Sequence, residues 1–220
     1  MVKTWPTSQP GQRDLFLRPV ESLSLPDKIP KQVHTIFIGV NPGVRSARIG
    51  HYYAGHSNYF WKLLFYSGIW PKRITTEDDD AVTTGGFGFT DTFKRPTPGT
   101  GALKKIDFAA SRNHVSRVVK KHKPTLVVFV SKTAVRAYLG NRSKVIHYGV
   151  QEWDIEGSRV FVVPSTSGAS LGDTSYQAKL KWFRNLRREI SGYRTSGSNR
   201  SNEVEAMDRA SARSTKNLTG

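Results

Sequence analysis

Three polar segments of this chain each follow a run of residues with the character of a strand. Asn41 follows an apolar, β-branched run and precedes Pro-Gly, Asp91 follows Phe89-Thr90, and the polar stretch 165–170 follows another apolar run. A carboxamide both donates and accepts hydrogen bonds, and a carboxylate can orient or activate a water. Because the carboxyl ends of parallel strands share one edge of a sheet, these groups can meet in one hydrolytic site.

Asn41 and Asp91 also have purely structural explanations. Pro42 cannot donate to a sheet ladder and Gly43 permits positive φ, so Asn-Pro-Gly is equally well explained as a turn. An aspartate that follows a strand commonly caps a loop. These residues alone therefore leave open whether either side chain takes part in chemistry.

Several other kinds of site are excluded by the sequence. The chain has no cysteine, which removes thiolate nucleophiles, disulfides and zinc–cysteine sites. The six histidines show no HxxH or HExxH spacing, and neither Ser165 nor Ser167 lies in a G-x-S-x-G motif. No G-x-G-x-x-G or Walker A motif is present. The sequence therefore predicts no metal and no cofactor.

The elements that must position these residues follow from apolar periodicity. Buried strands are expected at 35–40, 85–90, 125–130 and 159–163, with a weaker strand or hairpin at 145–155. Helices are expected at 58–66 with Ser57 as N-cap, near 77–80, and at 107–122, 132–139 and 176–190, while 44–56 is expected to be a loop. This alternation predicts a three-layer α/β/α sandwich around a mostly parallel sheet of four or five strands.

Composition divides the 220 residues into a core domain with two extensions. Residues 1–13 are interpreted as a flexible N-terminal arm, 14–192 as one folded domain, and 193–220 as a disordered tail rich in Ser, Thr, Arg, Asn and Gly. No run approaches the roughly 18 apolar residues that span a bilayer, and the N-terminus lacks a signal-peptide core. We therefore expect an intracellular protein that does not contact membranes.

The charge balance points to a polyanionic partner. The chain has 34 Lys and Arg residues against 17 Asp and Glu, a net charge of +17. Most of the excess lies in residues 34–192, which contain 24 basic and 11 acidic side chains. A basic folded surface favours nucleic acid through counterion release. The alternative is that the basic charge only keeps the protein soluble and indicates no partner.

Four motifs, in order, resemble those of the mismatch-specific uracil/thymine-DNA glycosylase family. They are Gly39-Val-Asn-Pro-Gly43; His51-Tyr-Tyr-Ala-Gly-His-Ser-Asn58 with Phe60-Trp61-Lys62; Gly88-Phe-Thr-Asp-Thr-Phe-Lys-Arg-Pro-Thr97; and Val163-Pro-Ser-Thr-Ser-Gly168. The resemblance covers roughly residues 33–190 and implies a fold like that of uracil-DNA glycosylases.

The resemblance also implies roles for individual residues. Asn41 matches the asparagine that positions the hydrolytic water, and Tyr53 matches the aromatic residue that stacks on the extruded base. Asp91 lies where family members differ, and a carboxylate there would add water activation. The other positions implied to form the base pocket are Gly39, Val40, Ser46, His51, Tyr52 and Asn58, the last with a structural role beside it. Those implied to form a loop that enters the duplex are Ser165, Ser167, Gly168, Ala169 and Ser170.

The activity that the resemblance implies is base excision from duplex DNA. A monofunctional glycosylase would flip uracil, and also thymine, out of a mispair with guanine and leave an abasic site, acting as a monomer without cofactor or metal. Its location would be the nucleus, or the cytoplasm of a bacterial source. Two alternatives remain: a DNA-binding relative without catalysis, and an α/β hydrolase of free nucleosides.

Overall fold

The computed structural model describes residues 18–97, 108–140, 145–168 and 175–192. The predicted N-terminal arm, 1–13, and the predicted tail, 193–220, lie outside these residues. Five strands form one sheet in the order β2-β1-β3-β5-β4. They are β1 (Thr35–Gly39), β2 (Phe87–Asp91), β3 (Leu126–Val130), β4 (Gly149–Ile155) and β5 (Ser158–Val163). All pairs are parallel except β4 with β5, so the predicted mostly parallel sheet is confirmed.

Six α-helices flank this sheet in the described part of the chain. They are α1 (Val44–Ile49), α2 (Phe60–Tyr66), α3 (Asp79–Thr84), α4 (Phe108–His122), α5 (Lys132–Leu139) and α6 (176–192). Short 3-10 helices lie at Val20–Ser22 and Thr76–Asp78. None of the described helices is long and apolar enough to cross a membrane.

The central strand β1 is covered on both faces, which produces the three layers. Phe37 joins a cluster with α2 and α6, whereas Ile36 and Ile38 join a cluster with α4 and α5. This alternation is the two-residue period of a strand, and all five residues of β1 are buried. A continuous apolar run is therefore needed here, because both faces lie in the core.

Two predictions for the segment after β1 were wrong. Residues 44–56 were expected to be a loop, but Val44–Ile49 forms α1, which ends at the left-handed Gly50. Six residues are too few for a periodic apolar stripe to be visible. Ser57 was expected to cap α2, but the N-cap residue is Tyr59, and the Asn58 side chain accepts a hydrogen bond from the Phe60 N–H at 3.0 Å.

The order of the strands creates a crevice beside β1. The chain passes from β1 through α1, α2 and α3 to β2 on one side, and then through α4 to β3 on the other side of β1. Because these connections run to opposite sides of β1, the loops on its two sides separate at the carboxyl edge of the sheet and leave a crevice. Ligands bind at this place in open α/β folds. The ends of β1, β2, β3 and β5 all reach this edge.

Ser131, at the end of β3, combines a helix cap with a strained backbone. Its hydroxyl accepts a hydrogen bond from the Ala134 N–H at 3.1 Å, while its φ of 139° and ψ of 155° lie in a region that favours glycine. We expect Ser131→Ala to lower the free energy of unfolding by about 1 kcal/mol, because the cap is lost and the strain stays. Ser131→Gly should be at least as stable as the wild type, because the strain is removed and glycine is a tolerated N-cap.

Urea unfolding of the two variants measures this difference. Equal destabilisation by alanine and glycine would contradict the assignment of backbone strain to Ser131.

Candidate active site

A cavity of about 640 Å³ opens at the carboxyl edge of the sheet. Its volume is in the range of small-molecule sites. Most of the residues expected from the motifs line it: Gly39, Val40, Asn41, Ser46, Tyr52, Tyr53, Asn58, Asp91, Ser165 and Ser167. The polar segments at the ends of β1, β2 and β5 therefore meet at this cavity, as expected. The cavity also includes Ser131 and Thr133 from the β3 exit and Thr97 from the loop after β2, which sequence reasoning missed.

The carboxamide of Asn41 is held in one orientation. Its Nδ2 donates to the Pro42 carbonyl at 3.0 Å and to the Thr97 hydroxyl at 2.8 Å. Because a carbonyl can only accept, the nitrogen must face Pro42, and Oδ1 is the amide atom left for a ligand. The Thr97 N–H also donates to the Pro42 carbonyl at 3.2 Å, which ties the two loops together. The sequence signal that could have identified this partner is the position of Thr97 as the last residue of the third motif.

The carboxylate of Asp91 is buried against the end of β1. A Cβ atom on Gly39 would lie only 2.2 Å from Asp91 Oδ1, so a side chain at position 39 is incompatible with this carboxylate. Burial raises the pKa of Asp91 to about 7, with the Lys94 ammonium opposing the rise and the Asp27 carboxylate adding to it. A carboxyl group with this pKa exchanges a proton near neutral pH.

Two buried polar atoms at this place have no partner within the described part of the chain. They are Asp91 Oδ2 and the hydroxyl oxygen of Tyr53. Burial and the Asp91 charge raise the pKa of Tyr53 well above its usual value, so the hydroxyl is protonated. Because buried polar groups are almost always hydrogen-bonded, unsatisfied atoms in a cavity wall indicate a place for water or a polar ligand.

Tyr53 itself forms one wall of the cavity in a constrained conformation. Its ring stacks on Phe60, with the centroids 3.8 Å apart and the planes at 14°. Its φ of 53° is left-handed, which is costly for a bulky residue and must be held by its surroundings. The next residue, Ala54, is held by α1: its N–H donates to Ser46 Oγ at 3.0 Å, and its carbonyl accepts from Arg45 at 2.8 Å.

The buried carboxylate of Asp79 holds the residues that precede Tyr53. It accepts hydrogen bonds from the Tyr52 N–H at 2.9 Å, from His51 Nδ1 at 2.8 Å and from Lys28 Nζ at 2.7 Å. The side chain of Asp79 is fully buried. His51 thus contacts Asp79 and is not among the residues that line the cavity.

A second ion cluster lies between the cavity wall and the edge strand β2. The Asp27 carboxylate accepts from Lys94 at 2.7 Å and from the Thr90 hydroxyl at 2.6 Å. Although partial burial raises the pKa of Asp27, hydrogen bonds from His114, Lys94 and Thr90 hold it well below its usual range. Lys94 Nζ also lies 3.4 Å from the Tyr52 hydroxyl, which places its charge close to the part of the cavity wall that contains Asp91. This charge is already paired with Asp27.

One group of side chains in the described residues has the spacing of metal ligands. Ligand atoms of His51, Asp79 and Asp80 lie within 4.8 Å of one another. The Lys28 ammonium binds both carboxylates, at 2.7 Å and 2.9 Å, and supplies the positive charge that a cation would bring. The arrangement is therefore accounted for as an ion-paired support of the 51–53 loop.

The loop expected to enter DNA is described only up to Gly168. Ser165 and Ser167 line the cavity, and the Thr166 carbonyl accepts from the Tyr59 N–H at 2.9 Å. A Cβ atom on Gly168 would lie 2.5 Å from the Ser57 carbonyl, so glycine allows this loop to pack on the residues before α2. Ala169 and Ser170 lie outside the described residues.

The Asp79 contacts give a prediction with a matched control. Asp79→Ala removes the acceptor of a buried backbone N–H and of the His51 imidazole and leaves the partly buried Lys28 ammonium with Asp80 alone, so we expect the free energy of unfolding to fall by about 3 kcal/mol. Asp80 binds the same lysine, but its side chain is 73% exposed, and Asp80→Ala should cost less than about 1 kcal/mol. Equal losses for the two variants in urea unfolding would show that Asp79 does not support the loop.

The raised pKa of Asp91 predicts a pH-dependent cost to stability. Between pH about 4 and 7 the folded protein retains a proton on Asp91 that the unfolded chain releases, so this group makes folding less favourable as pH rises through that window. Asp91→Asn should therefore be more stable than the wild type at pH 8, by on the order of 2 kcal/mol. Urea titrations at pH 8 and pH 4 check this, and the difference should disappear at pH 4.

Two named proteins are similar to this chain. A G/U mismatch-specific uracil DNA glycosylase from Schizosaccharomyces pombe is 27% identical over 166 residues, which cover 72% of this chain and 51% of that protein. The chain thus spans about half the length of this curated relative. The solution structure of a putative uracil DNA glycosylase from Methanosarcina acetivorans has a TM-score of 0.49 and 20% identity, covering 74% of this chain and 97% of that one.

The match to a family model extends over nearly all of the sheet and its helices. Residues 26–189 match the model of the uracil DNA glycosylase superfamily. This range contains all four motifs and every described residue that lines the cavity except Leu25. The chain therefore belongs to the uracil DNA glycosylase superfamily.

Proposed function

We propose that the protein is a monofunctional DNA glycosylase that excises uracil, and also thymine, mispaired with guanine. The observation that carries this proposal is the fixed carboxamide of Asn41, whose Oδ1 is left for a ligand beside the buried Asp91 in a cavity of about 640 Å³. Family membership and the mismatch specificity named for the S. pombe relative support the substrate class. The basic domain supports duplex DNA as the partner.

Base extrusion explains the preference for mispairs. An enzyme that acts on a stacked base must flip it out of the duplex, at a cost of a few kcal/mol that is lowest for mispaired bases. The ring of Tyr53, already stacked on Phe60 on one face, supplies an aromatic surface for the flipped pyrimidine. Its hydroxyl, which has no partner in the described part of the chain, supplies a hydrogen-bond donor at the same wall.

The chemical step needs an oriented water and a stabilised leaving group. As the N-glycosidic bond breaks, positive charge develops on the sugar and negative charge on the base. Asn41 Oδ1 accepts a hydrogen bond from the water that attacks the sugar carbon. The Asp91 carboxylate takes the proton that this water releases, and backbone N–H groups near Val40 stabilise the base anion.

The residues that line the cavity favour hydrolysis over attack by an amine. They include no lysine among the described positions, and Lys94 nearby is paired with Asp27 at 2.7 Å. A covalent imine between enzyme and sugar would need a free amine at the reacting carbon. We therefore propose that the product is an intact abasic site, formed without metal or cofactor by a monomer.

The central test is a single-turnover assay on a G·U duplex with Asn41→Ala. We expect the excision rate to fall about 10²- to 10⁴-fold, because the water loses its orientation, while binding to the duplex is kept. Asn113→Ala, the same change on the exposed face of α4, is the matched control and should keep the wild-type rate. G·T, free deoxyuridine and single-stranded substrates complete the panel.

The outcomes separate the remaining functions. A wild-type rate in Asn41→Ala would contradict the role of Asn41. Tight binding with no abasic product from any mispair would favour a DNA-binding relative without catalysis, and turnover of free deoxyuridine would favour a nucleoside hydrolase. Asp91→Asn, assayed alongside, should lose the rise in rate through pH 7 if this carboxylate accepts the proton.

A further inference from the structure

A second groove, of about 690 Å³, lies between the end of α2 and the last turns of α6. We call it the arginine groove. Three arginines of α6 and two aromatic residues of α2 contribute to it; its lining is Phe65, Tyr66, Ser67, Gly68, Arg184, Arg187, Arg188 and Ser191. Tyr66 is half exposed there, which is unusual for a large side chain in the described part of this protein.

The arginine groove lies at the opposite edge of the sheet from the cavity. Trp70, just after the groove, donates its N–H to the Leu64 carbonyl, and its ring lies 6.3 Å from that of Phe87, the first residue of β2. The cavity contains Asp91, the last residue of the same strand. At about 3.3 Å per residue, the length of β2 alone separates the two places by roughly 15 Å.

No carboxylate of the described residues neutralises the positive charge of the groove. Arg184, Arg187 and Arg188 are exposed, and none forms an ion pair with a carboxylate among the described residues. The one acidic residue of α6, Glu189, pairs with Arg159 at 3.0 Å instead. Neither α2 nor the chain after it contains an acidic residue before Glu77. The three guanidinium groups repel one another, and a bound anion would reduce this electrostatic repulsion.

The groove has features that suit phosphates of a nucleic acid backbone. Arg184 and Arg188 lie one helical turn apart and so share a face of α6. Guanidinium groups bind phosphate oxygens through paired hydrogen bonds. The guanidinium of Arg187 lies against Gly68: a Cβ atom at position 68 would be 3.0 Å from Arg187 Nη1. Tyr66 adds an exposed ring on which a sugar or base could stack.

We propose that the arginine groove binds the phosphate backbone of a second DNA segment while another segment occupies the cavity. Repeated phosphates match a row of unpaired arginines better than the scattered carboxylates of a peptide do. Such binding would keep the enzyme on DNA while it passes from one segment to another.

The test compares two charge-matched double variants of the full chain on undamaged duplex DNA. Arg184→Gln/Arg188→Gln removes two charges from the groove. Lys120→Gln/Lys121→Gln removes two exposed charges from the end of α4, in the other helical layer. Fluorescence anisotropy over a KCl series gives the slope of log Kobs against log[KCl]. We expect the groove variant to lose about 2 from the magnitude of this slope, at about 0.9 per phosphate contact, and the control to lose less.

Energy transfer between two separately labelled duplexes tests for simultaneous binding. The wild type and the α4 control should bring donor and acceptor duplexes together, and the groove variant should lose this signal. The proposal would be overturned if the groove variant kept the wild-type salt dependence, or if its slope fell only as much as that of the control. It would also be overturned if the slope fell but the wild type gave no energy transfer between the two duplexes. Because neither measurement requires excision, its failure is distinguishable from a failure of the proposed glycosylase activity. Single-turnover excision by the groove variant at saturating enzyme should stay within about twofold of the wild type.

Discussion

The packing of the Asp91 carboxylate into the space that a side chain on Gly39 would fill is the constraint on which the site depends. β1 and β2 pair in parallel with Gly39 opposite Asp91, so the two positions are neighbours at the edge of the sheet. Only glycine leaves room for the carboxylate, and the same burial that requires glycine raises the pKa of Asp91 to about 7. One packing contact therefore sets the shape of the cavity wall and its proton chemistry together.

The walls of the cavity are held by groups that do not line it. Asp79 and Arg45 fix the backbone on either side of Tyr53, whose left-handed conformation would otherwise be unfavourable. Thr97 lines the cavity but acts in the same way on Asn41, by occupying its amide nitrogen. Preorganised polar groups need no rearrangement during a reaction, and such rigidity is a large part of how enzymes stabilise developing charge.

The site is also where the protein gives up stability. A buried carboxylate without a full set of partners, a bulky residue with φ of 53° and a serine with φ of 139° all lie along the cavity wall. Each is unfavourable for folding on its own and is held by the apolar clusters on both faces of β1. The concentration of such features in one cavity is typical of a functional site.

The layers of the fold and the position of Asn41 could be predicted from the sequence, because they depend on local patterns. Continuous apolar runs identified β1, β3 and β5, whereas β2 was expected from a short glycine-rich segment and β4 from a weaker pattern. A turn after a buried strand places Asn41 at the carboxyl edge in any parallel sheet. Four ordered motifs were specific enough to indicate the superfamily, which the family match confirmed.

The rest depended on contacts between residues far apart in the chain. α1 was missed because six residues show no period, yet it holds Ala54 from both sides. His51 belongs to a motif, but its side chain binds Asp79, 28 residues away in the sequence. Only the packed structure reveals that His51 does not line the cavity. Sequence alone thus determined which strands and turns form, whereas tertiary structure decided which side chains are buried, paired or left to bind a ligand, because burial and charge pairing arise only when distant segments meet.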